Sequence, residues 1–429
     1  MSTKTHQSTD PQVYDIHHQK FLSDGLPTDQ AGWLERARRV ADIFATDVAV
    51  REKENKSPVA EVSLLKSSGL LKLLGPKEFG GGGEDWALGY KAIREVAKGD
   101  GSLGMLLGYH LYWSTAANVL GTDEQRVRWQ KEIIENNYFV GGAVNPRDND
   151  LTVTSDGDEI VFNGLKNFNT GGVVSDLTVL EGAYTAIGAH IFAIVKTNQP
   201  GVQFAHNWDN IGVRLTESGS VKLVDVRAAW TDALGWDAET RQPLPHILST
   251  PFATLPLPTI QLVFSNFYLG IALGALDTAA RYTTTTTRSW PFTNDPKAAA
   301  TDEFYILERY GAFSAHLRAA EALTDRAGDQ LRDLYARYSG SRELLTARQR
   351  GDVAETIAAV KVVTTDVGLE VTAGVFEVTG ARATASKVGL DRFWRDLRTH
   401  TLHDPVAYKR RELGRYKLLD EIPEPTWYT

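Results

Sequence analysis

The sequence predicts an α+β protein whose three domains are helical, β-rich and helical in chain order. Its 429 residues exceed the roughly 250–300 at which a single hydrophobic core stops growing. Apolar residues recur at helical spacing towards both ends, whereas the middle alternates short β-rich runs with Asp, Asn and Gly turns. We therefore expect a flexible N-terminal arm over 1–29, a helical domain over 30–137, a β-domain over 138–240 and a helical-bundle domain with a tail over 241–429.

The N-terminal domain is predicted from an amphipathic pattern that begins near Gln30. Apolar residues recur three or four positions apart, at Trp33, Ala37, Val40, Ala41, Phe44 and Val48. The glycine run 80–83 interrupts the helical pattern, which resumes from Trp86 and again from Leu103. Residues 30–137 are therefore expected to be helical throughout.

The other two domains are predicted from a change in pattern near residue 138 and its reversal near Thr259. The β-rich runs are Leu151–Thr154, Glu159–Phe162, Leu177–Leu180, Ile191–Val195 and Val221–Val224. Long helical patterns follow Thr259, and the longest of them is Val353–Val378. Small and apolar residues cover most of its faces, which is typical of a helix buried between other helices.

Composition and charge exclude several classes of function. The absence of cysteine excludes disulfides, thiolate metal sites and a cysteine nucleophile. The net charge of −8 argues against nucleic acid as a partner. No apolar run reaches the roughly 18 residues of a membrane span, and the polar N-terminus lacks the apolar core of a signal peptide. We expect no membrane partner and a cytoplasmic location.

Two familiar motifs of enzyme chemistry do not fit this sequence. The glycine-rich run 79–85 lacks the Lys-Ser/Thr of a phosphate loop and does not follow a strand, so a turn between helices is the better interpretation. No Gly-x-Ser-x-Gly elbow of a serine hydrolase occurs. Any catalysis is expected to use oxygen or nitrogen groups, or a cofactor.

Two histidines and two arginines are the candidate functional residues. His400 and His403 are three residues apart, but no third strong ligand is placed by the spacing, so acid–base chemistry is favoured over metal binding and no metal is expected. Arg288 and Arg382 lie next to helix ends with small neighbours, where a guanidinium suits a phosphate. Either arginine alone is more typical of a surface or an interface.

Read as a set, several motifs resemble the acyl-CoA dehydrogenase superfamily over about residues 30–415. They are the turn Phe79–Gly83, Gly141–Asn145 at the entry to the β-domain, Asn163–Gly171, Asn207–Ser220, Gly270–Arg288, Gly380–Arg382 and Arg392–Asp396. The resemblance implies an N-terminal α-helical domain, a central β-barrel or sandwich and a C-terminal four-helix bundle. It also implies a homotetramer in which an arginine reaches the flavin of a neighbouring subunit.

The flavin-dependent monooxygenase branch, typified by dibenzothiophene monooxygenase, is more similar still. The shared strings are Asp100–Gly104, Gly108–His110, Val375–Arg382, Asp391–Arg395 and Arg398–Val406. Where a dehydrogenase has a catalytic glutamate followed by glycine, this chain has Asp404-Pro405. The shorter carboxylate is badly placed to remove a proton beside a thioester, where small positional errors are costly.

The chain also departs from the monooxygenase pattern at three positions. Met105 stands where the dibenzothiophene enzymes have histidine, Gly142 where they have a pocket asparagine, and Thr170 where they have a flavin-facing serine. The first two changes replace a polar group by an apolar one or by empty space. We expect the oxygen chemistry to be retained and the substrate to differ.

The resemblance to this branch implies a two-component monooxygenase. Reduced FMN, supplied by a separate flavin reductase, reacts with O₂ to form a C4a-hydroperoxyflavin that oxygenates a small, largely apolar substrate, most readily at sulfur or nitrogen. Two alternatives stay open at this point. A dehydrogenase or oxidase of acyl-CoA would hold FAD, and a non-catalytic scaffold would bind no flavin.

The same resemblance implies roles for individual residues. Those expected to bind the flavin are Arg288, Arg382 and Gly380 at the phosphate, Thr170, Val144 and Asn145 at the flavin edge, and Trp208 beside the ring. Those expected to be catalytic are His403, Tyr109 and Thr170, with His403 protonating and steering the peroxide. Those expected to line the substrate pocket are Met105, Tyr109, Gly142, Phe168 and His400. Whether His400 or His403 faces the flavin is left open.

Overall fold

The N-terminal domain is helical in the computed structural model, which describes residues 8–147 and 150–425. Its helices are α1 (Asp15–Asp24), α2 (Gln30–Ala45), α3 (Val48–Glu54), α4 (Val59–Ser68), α5 (Trp86–Gly99), α6 (Gly101–Ser114), α7 (Ala116–Leu120) and α8 (Asp123–Glu135). Their apolar faces meet in a core that continues into the C-terminal helices. This continuity makes the two helical domains one packed body.

The central domain consists of open sheets. Its strands are β1 (Val140–Ala143), β2 (Leu151–Asp156), β3 (Glu159–Lys166), β4 (Leu177–Ala183), β5 (His190–Lys196), β6 (Val202–Phe204), β7 (Val221–Ala229), β8 (Trp236–Asp237) and β9 (Gln242–Pro243). Strand order is β1-β4-β5, β2-β3-β7-β6 and β8-β9, with β1 and β4 parallel and the other pairs antiparallel. The prediction of a β-barrel or sandwich is therefore wrong for the closed barrel, because the strands form separate sheets. These sheets pack around an apolar core of their own.

The C-terminal domain is a helical bundle, as predicted. Its helices are α9 (Pro245–Leu248), α10 (Pro256–Thr285), α11 (Phe304–Tyr338), α12 (Ala347–Thr379), α13 (Asp391–His400) and α14 (Val406–Leu419). Helix α12 packs against α10, α11 and α14, and α13 packs on α10, α12 and α6. The short helix α13 thereby carries the histidine pair to the junction of the two helical domains.

The segment expected to be a flexible arm contains helices. Residues 1–7 of that segment lie outside the described residues, but 11–24 form a 3-10 turn followed by α1. Tyr14 and Phe21 are buried, and the guanidinium groups of Arg36 and Arg39 stack on the Phe21 ring. Packing against α4 and these cation–π contacts with α2 explain why the segment is helical, although its composition is polar.

Helix α10 is apolar enough to resemble a membrane span. The stretch Pro251–Thr285 meets the length and composition of such a span, which the sequence analysis did not anticipate. Of its most apolar window, 89% is buried inside the protein. Helix α10 packs against α5 and α6 on one side and α11 and α12 on the other, so protein takes the place that lipid would occupy.

His110 joins helix α6 to strand β1. Its ring is fully buried, with Nε2 2.9 Å from the carbonyl oxygen of Leu71 and Nδ1 3.0 Å from the backbone nitrogen of Val140. A neutral ring satisfies both contacts, because Nδ1 accepts and Nε2 donates. Burial lowers the pKa of His110 to about 4.

We expect His110 to make the protein sensitive to acid. An unfolded histidine takes up a proton near pH 6.5, and the folded ring resists protonation down to about pH 4, so stability is lost as the pH falls between these values. The difference corresponds to ~3 kcal/mol of unfolding free energy. Urea unfolding over this range should show a shallower pH dependence for His110→Gln, which keeps a donor and an acceptor. The exposed control His246→Gln should keep the wild-type slope, and equal slopes in all three proteins would contradict the prediction.

Candidate active site

Helix α6 supplies one wall of the candidate site. Asp100 caps the helix by accepting hydrogen bonds from the backbone nitrogens of Ser102 and Leu103. Met105 and Tyr109 are one helical turn apart and therefore share a face, and both are buried. The Tyr109 ring stacks on Phe264 of α10 with 5.9 Å between centroids. Burial holds the pKa of the Tyr109 phenol well above its ordinary value, so the hydroxyl stays protonated.

His400 is the buried member of the histidine pair. Its Nδ1 lies 2.7 Å from the Tyr268 hydroxyl and its Nε2 3.3 Å from the Tyr109 hydroxyl. Burial, reinforced by the neighbouring His403 and Lys361, holds the pKa of His400 well below its ordinary value. Both tautomers of the neutral ring leave Tyr109 hydrogen-bonded to His400, so the role of this histidine is to hold the tyrosine in place.

His403 is the exposed member of the pair. Its ring stacks nearly parallel to His400, with 5.2 Å between centroids and 14° between planes, and lies 5.0 Å from the Phe264 ring. Its side chain is 40% exposed, whereas both ring nitrogens of His400 are occupied by tyrosines. Of the two histidines, His403 is the one that can reach a bound molecule.

Asp404 is tied to a buried lysine. Its carboxylate forms an ion pair with Lys361 of α12, whose side chain is fully buried, and lies 3.3 Å from Nδ1 of His403. Burial opposes ionisation, but His403 and Lys361 together hold the pKa of Asp404 well below its usual range. An ionised and paired carboxylate is a poor base, which adds to the sequence argument against proton removal from an acyl-CoA.

Loops of the β-domain carry the residues expected at the flavin edge. The Thr170 hydroxyl is buried and lies 2.9 Å from the Ser218 hydroxyl, which in turn lies 2.7 Å from that of Thr216. Phe168, two residues earlier, has a positive φ of 59° and an exposed ring whose centroid is 6.4 Å from Trp208. The loop therefore presents an aromatic pair beside a threonine hydroxyl.

A buried carboxylate of α13 holds Trp208 in place. The Trp208 indole nitrogen donates to the carbonyl oxygen of Val213 at 2.9 Å, and the Val213 backbone nitrogen donates to Asp396 at 2.7 Å. Burial raises the pKa of Asp396 to about 7, and Asp100 adds to the effect. This chain of contacts ties the β-domain loop to the helix that ends in His400.

A buried ion pair supports the backbone after strand β1. Lys166 donates to the carbonyl oxygen of Asn145 at 2.9 Å and to Glu181 at 2.8 Å, and both charged side chains are 1% exposed. The hydrogen bond from Lys166 thus fixes the backbone at Asn145, which follows Val144. Neither charged residue was predicted, although Glu181 lies within the otherwise uncharged run Leu177–Ala183 and was a usable signal.

Gly142 does not leave the empty space that the sequence analysis expected. A Cβ built on Gly142 lies 2.3 Å from Nε1 and 2.4 Å from Cε2 of Trp113, so the indole occupies the place of a side chain. Trp113 is four residues beyond Tyr109 on α6 and shares its face. The position is therefore filled by an aromatic ring from a neighbouring element, which no local sequence pattern revealed.

The phosphate-binding candidates lie at the other end of the bundle. Arg382 donates to the carbonyl oxygen of Thr286 at 2.6 Å, which places it beside the segment that carries Arg288. Gly380 has a positive φ of 81° at the end of α12. A cavity of 720 Å³ opens here, lined by Thr283, Thr284, Thr287, Arg288, Ser289, Trp290, Pro291, Phe292, Ala298, Ala299, Ala300 and Thr301.

The histidine pair and the arginine pair lie far apart along α10. Tyr268 contacts His400, and Thr285 lies three residues before Arg288. The two positions are seventeen residues apart on α10, which is about 25 Å along the helix at 1.5 Å per residue. The two pairs therefore lie near opposite ends of this part of α10 within one chain.

The side chains around the arginine pair and those near Thr170 suit FMN. The Arg288 side chain and several threonines line the cavity, and Arg382 donates to the neighbouring Thr286 carbonyl, so two guanidinium groups are available for a phosphate. Near Thr170, the side-chain amide of Asn169 is buried and has no hydrogen-bond partner among the described residues. The Trp113 indole nitrogen beside Gly142 is also buried and has no hydrogen-bond partner among the described residues. The residues present therefore fit the flavin that the resemblance implies.

The predicted residues thus fall into three groups. Tyr109, His400 and His403 meet in one cluster, with Met105 on the same helix face as Tyr109. Thr170, Phe168 and Trp208 share the β-domain loops, near the backbone of Gly142, Val144 and Asn145. Arg288, Gly380 and Arg382 form a separate third group. Tyr268, Lys361 and Trp113 were not anticipated, because each acts on a residue that is distant in the sequence.

Known proteins match both the sequence and the fold. Family models match residues 27–137, as the acyl-CoA dehydrogenase N-terminal domain, and residues 262–407, as the acyl-CoA dehydrogenase C-terminal domain. Dibenzothiophene monooxygenase of Mycolicibacterium goodii is 38% identical over 402 residues, which cover 91% of this chain and 95% of that protein.

Two solved structures share the fold at substantial identity. Methanesulfinate monooxygenase MsuC from Pseudomonas fluorescens superposes with a TM-score of 0.86 at 35% identity, covering 92% of this chain and 99% of that one. TdsC from Paenibacillus sp. A11-2, in complex with FMN and indole, has a TM-score of 0.86 at 34% identity and the same coverage. The chain belongs to the acyl-CoA dehydrogenase superfamily and, within it, to the flavin-dependent monooxygenases related to dibenzothiophene monooxygenase.

Proposed function

We propose that this chain is the oxygenase component of a two-component monooxygenase that uses reduced FMN and O₂ on a small, largely apolar sulfur or nitrogen compound. The observation that carries the proposal is the histidine cluster, in which His400 anchors Tyr109 and leaves His403 exposed. The clustered side chains can exchange protons but, with Asp404 paired to Lys361, offer no free carboxylate base.

The cofactor is FMN, as in the related TdsC complex. When bound, reduced FMN supplies the electrons that activate O₂, so that one oxygen atom enters the substrate and the other leaves as water. Arg288 and Arg382 bind the phosphate, with Gly380 allowing close approach of the backbone. Thr170 and the backbone of Val144 and Asn145 bind the flavin edge.

The aromatic and apolar side chains exclude water from the reaction. Trp208 and Phe168 flank the flavin ring, while Met105 and the Trp113 ring give the substrate pocket apolar walls. Exclusion of water matters because water competes with the substrate for the activated oxygen, which is then lost as hydrogen peroxide. Phe168 is exposed in a single chain, so its contribution depends on the bound flavin or a neighbouring subunit.

His403 transfers the proton, and Tyr109 forms a hydrogen bond. The free nitrogen of the His403 imidazole can accept and donate a proton, as oxygen transfer requires. Tyr109 is held by His400 and stays protonated, so it acts as a hydrogen-bonding group. The related proteins are named for dibenzothiophene and methanesulfinate, which favours a sulfur compound for this chain as well.

The enzyme also needs partners. The described residues contain no strand followed by a glycine-rich dinucleotide turn, so a separate flavin reductase is proposed to deliver reduced FMN. The separation of the arginine and histidine pairs along α10 supports a homo-oligomer, for which we propose a tetramer. We place the reaction in the cytoplasm, where reduced flavin is available.

Replacing His403 should uncouple oxygen consumption from product formation. His403→Phe keeps a ring that packs beside Phe264 but cannot transfer a proton, so product yield should fall by about 100-fold or more while hydrogen peroxide rises. FMN affinity should not change. The measurement is the ratio of product to peroxide with chemically reduced FMN, and His246→Phe is the exposed control. A normal ratio in His403→Phe would remove this residue from the chemistry.

The arginine pair should recognise the phosphate and not the ring. Arg288→Gln and Arg382→Gln should each weaken FMN binding about 10-fold or more, because a hydrogen bond to a charged group contributes about 1.5–3 kcal/mol. Riboflavin, which lacks the phosphate, should bind the variants and the wild type equally. Arg281→Gln, on the exposed face of α10, is the matched control. Equal losses for FMN and riboflavin would contradict phosphate binding by this pair.

Mixed oligomers should reveal that two subunits build each site. One chain carries Arg288→Gln and Arg382→Gln, and the other carries His403→Phe. If the arginines serve a neighbouring subunit, co-refolded chains regain product formation, because some sites then combine intact arginines with an intact histidine. Each variant refolded alone is the control. Mixed oligomers that are as inactive as the parents would place both sets in one chain's site.

A further inference from the structure

Lys361 is a buried cation inside the C-terminal bundle. It lies in the middle of α12, its side chain is fully buried, and its ammonium group is 5.6 Å from the centroid of the Phe264 ring. Within the described residues Lys361 forms its ion pair with Asp404, whose side chain is 11% exposed. Removing two charges from water costs more than their attraction usually returns, so stability alone does not explain this pair.

The pair leads directly to His403. Asp404 contacts Nδ1 of His403 at 3.3 Å through Oδ1, the same carboxylate oxygen that pairs with Lys361. An ionised carboxylate can only accept hydrogen bonds, so a contact with it requires the hydrogen of the neutral imidazole to be on Nδ1. Nε2 is then left without a hydrogen and free to act on a ligand.

Other groups around His403 leave this arrangement undisturbed. The neutral His400 ring stacks on one face of His403 and Phe264 packs beside it, so neither competes for Nδ1. Tyr109 and Tyr268 contact His400. On the far side of Lys361, Lys409 and Glu412 of α14 form their own ion pair at 2.9 Å. Asp404 is thus the charged group that sets the hydrogen position on His403.

We propose that Lys361 and Asp404 are positioning residues that fix the tautomer and the ring orientation of His403, with Nδ1 protonated and Nε2 free to face the flavin. Lys361 keeps the carboxylate ionised and in place, and the carboxylate orients the imidazole. The inference rests on the proposed function for its catalytic meaning, but the tautomer itself is a property of the protein alone. A partner that fixes a reactive imidazole in this way typically changes activity by about 10–100-fold in related settings.

The first test is ¹⁵N NMR of the full chain labelled at histidine, without flavin. The His403 signals are assigned by their absence from His403→Phe. We expect the protonated nitrogen of neutral His403 to be Nδ1 in the wild type, and a loss of this preference in Lys361→Met/Asp404→Leu, which removes both charges together. A wild-type ring protonated at Nε2, or an unchanged tautomer in the double variant, would overturn the proposal. The wild-type result is decisive even if the double variant does not fold.

The second test is a mutant cycle read as the ratio of product to hydrogen peroxide. Lys361→Met/Asp404→Leu should lower the ratio on the order of 10-fold without changing FMN affinity, and should have no further effect in a His403→Phe background. An equal drop in both backgrounds would overturn the proposal, because the pair would then act through packing. Lys409→Met/Glu412→Leu removes a neighbouring buried pair that does not contact His403 and should leave the ratio unchanged.

The two tests separate this inference from the proposed function. A normal product ratio in His403→Phe would reject the catalytic role of His403, whereas the NMR result would still decide how its tautomer is set. A wild-type tautomer other than the expected one would reject the positioning role and leave the monooxygenase assignment intact.

Discussion

The burial of helix α10 between the N-terminal helices and the C-terminal bundle is the constraint on which the site depends. Thirty residues of mostly apolar sequence cannot remain in water, and they are covered by α5 and α6 on one side and by α11 and α12 on the other. This packing brings Phe264 and Tyr268 against Tyr109 and His400. The same helix carries Arg288 away to the opposite end. One hydrophobic element thus determines both the cluster of tyrosines and histidines and its distance from the arginine pair.

Buried polar groups then specify the details that apolar packing leaves open. His400, Lys361 with Asp404, Asp396, and Lys166 with Glu181 are all withdrawn from water, where an unpaired polar group is costly. Each is satisfied by a partner from another element, and each partner is part of the candidate site or holds it. Arrangements of the rings and loops that leave these groups unpaired are therefore destabilised, and one arrangement is favoured.

The same fold supports different chemistry through small changes at these positions. Where the dehydrogenase pattern has a glutamate, this chain has Asp404, which is paired with Lys361 and contacts His403. Met105 is buried and the Trp113 ring lies against Gly142, so both positions are apolar in this chain. Function is therefore decided by which groups remain free, since the scaffold is shared.

The sequence by itself determined the order of helical and β-rich domains, because side-chain periodicity is a local consequence of helix and strand geometry. It also identified the histidine and arginine pairs, whose spacing and neighbours are local features. Only the tertiary structure decided that His400 is buried and His403 exposed, because Tyr109 and Tyr268 approach from helices more than a hundred positions away. It likewise decided that Trp113 fills the space at Gly142, that Lys361 pairs with Asp404, and that the sheets stay open. These contacts depend on how remote elements pack, which a linear pattern of residues does not encode.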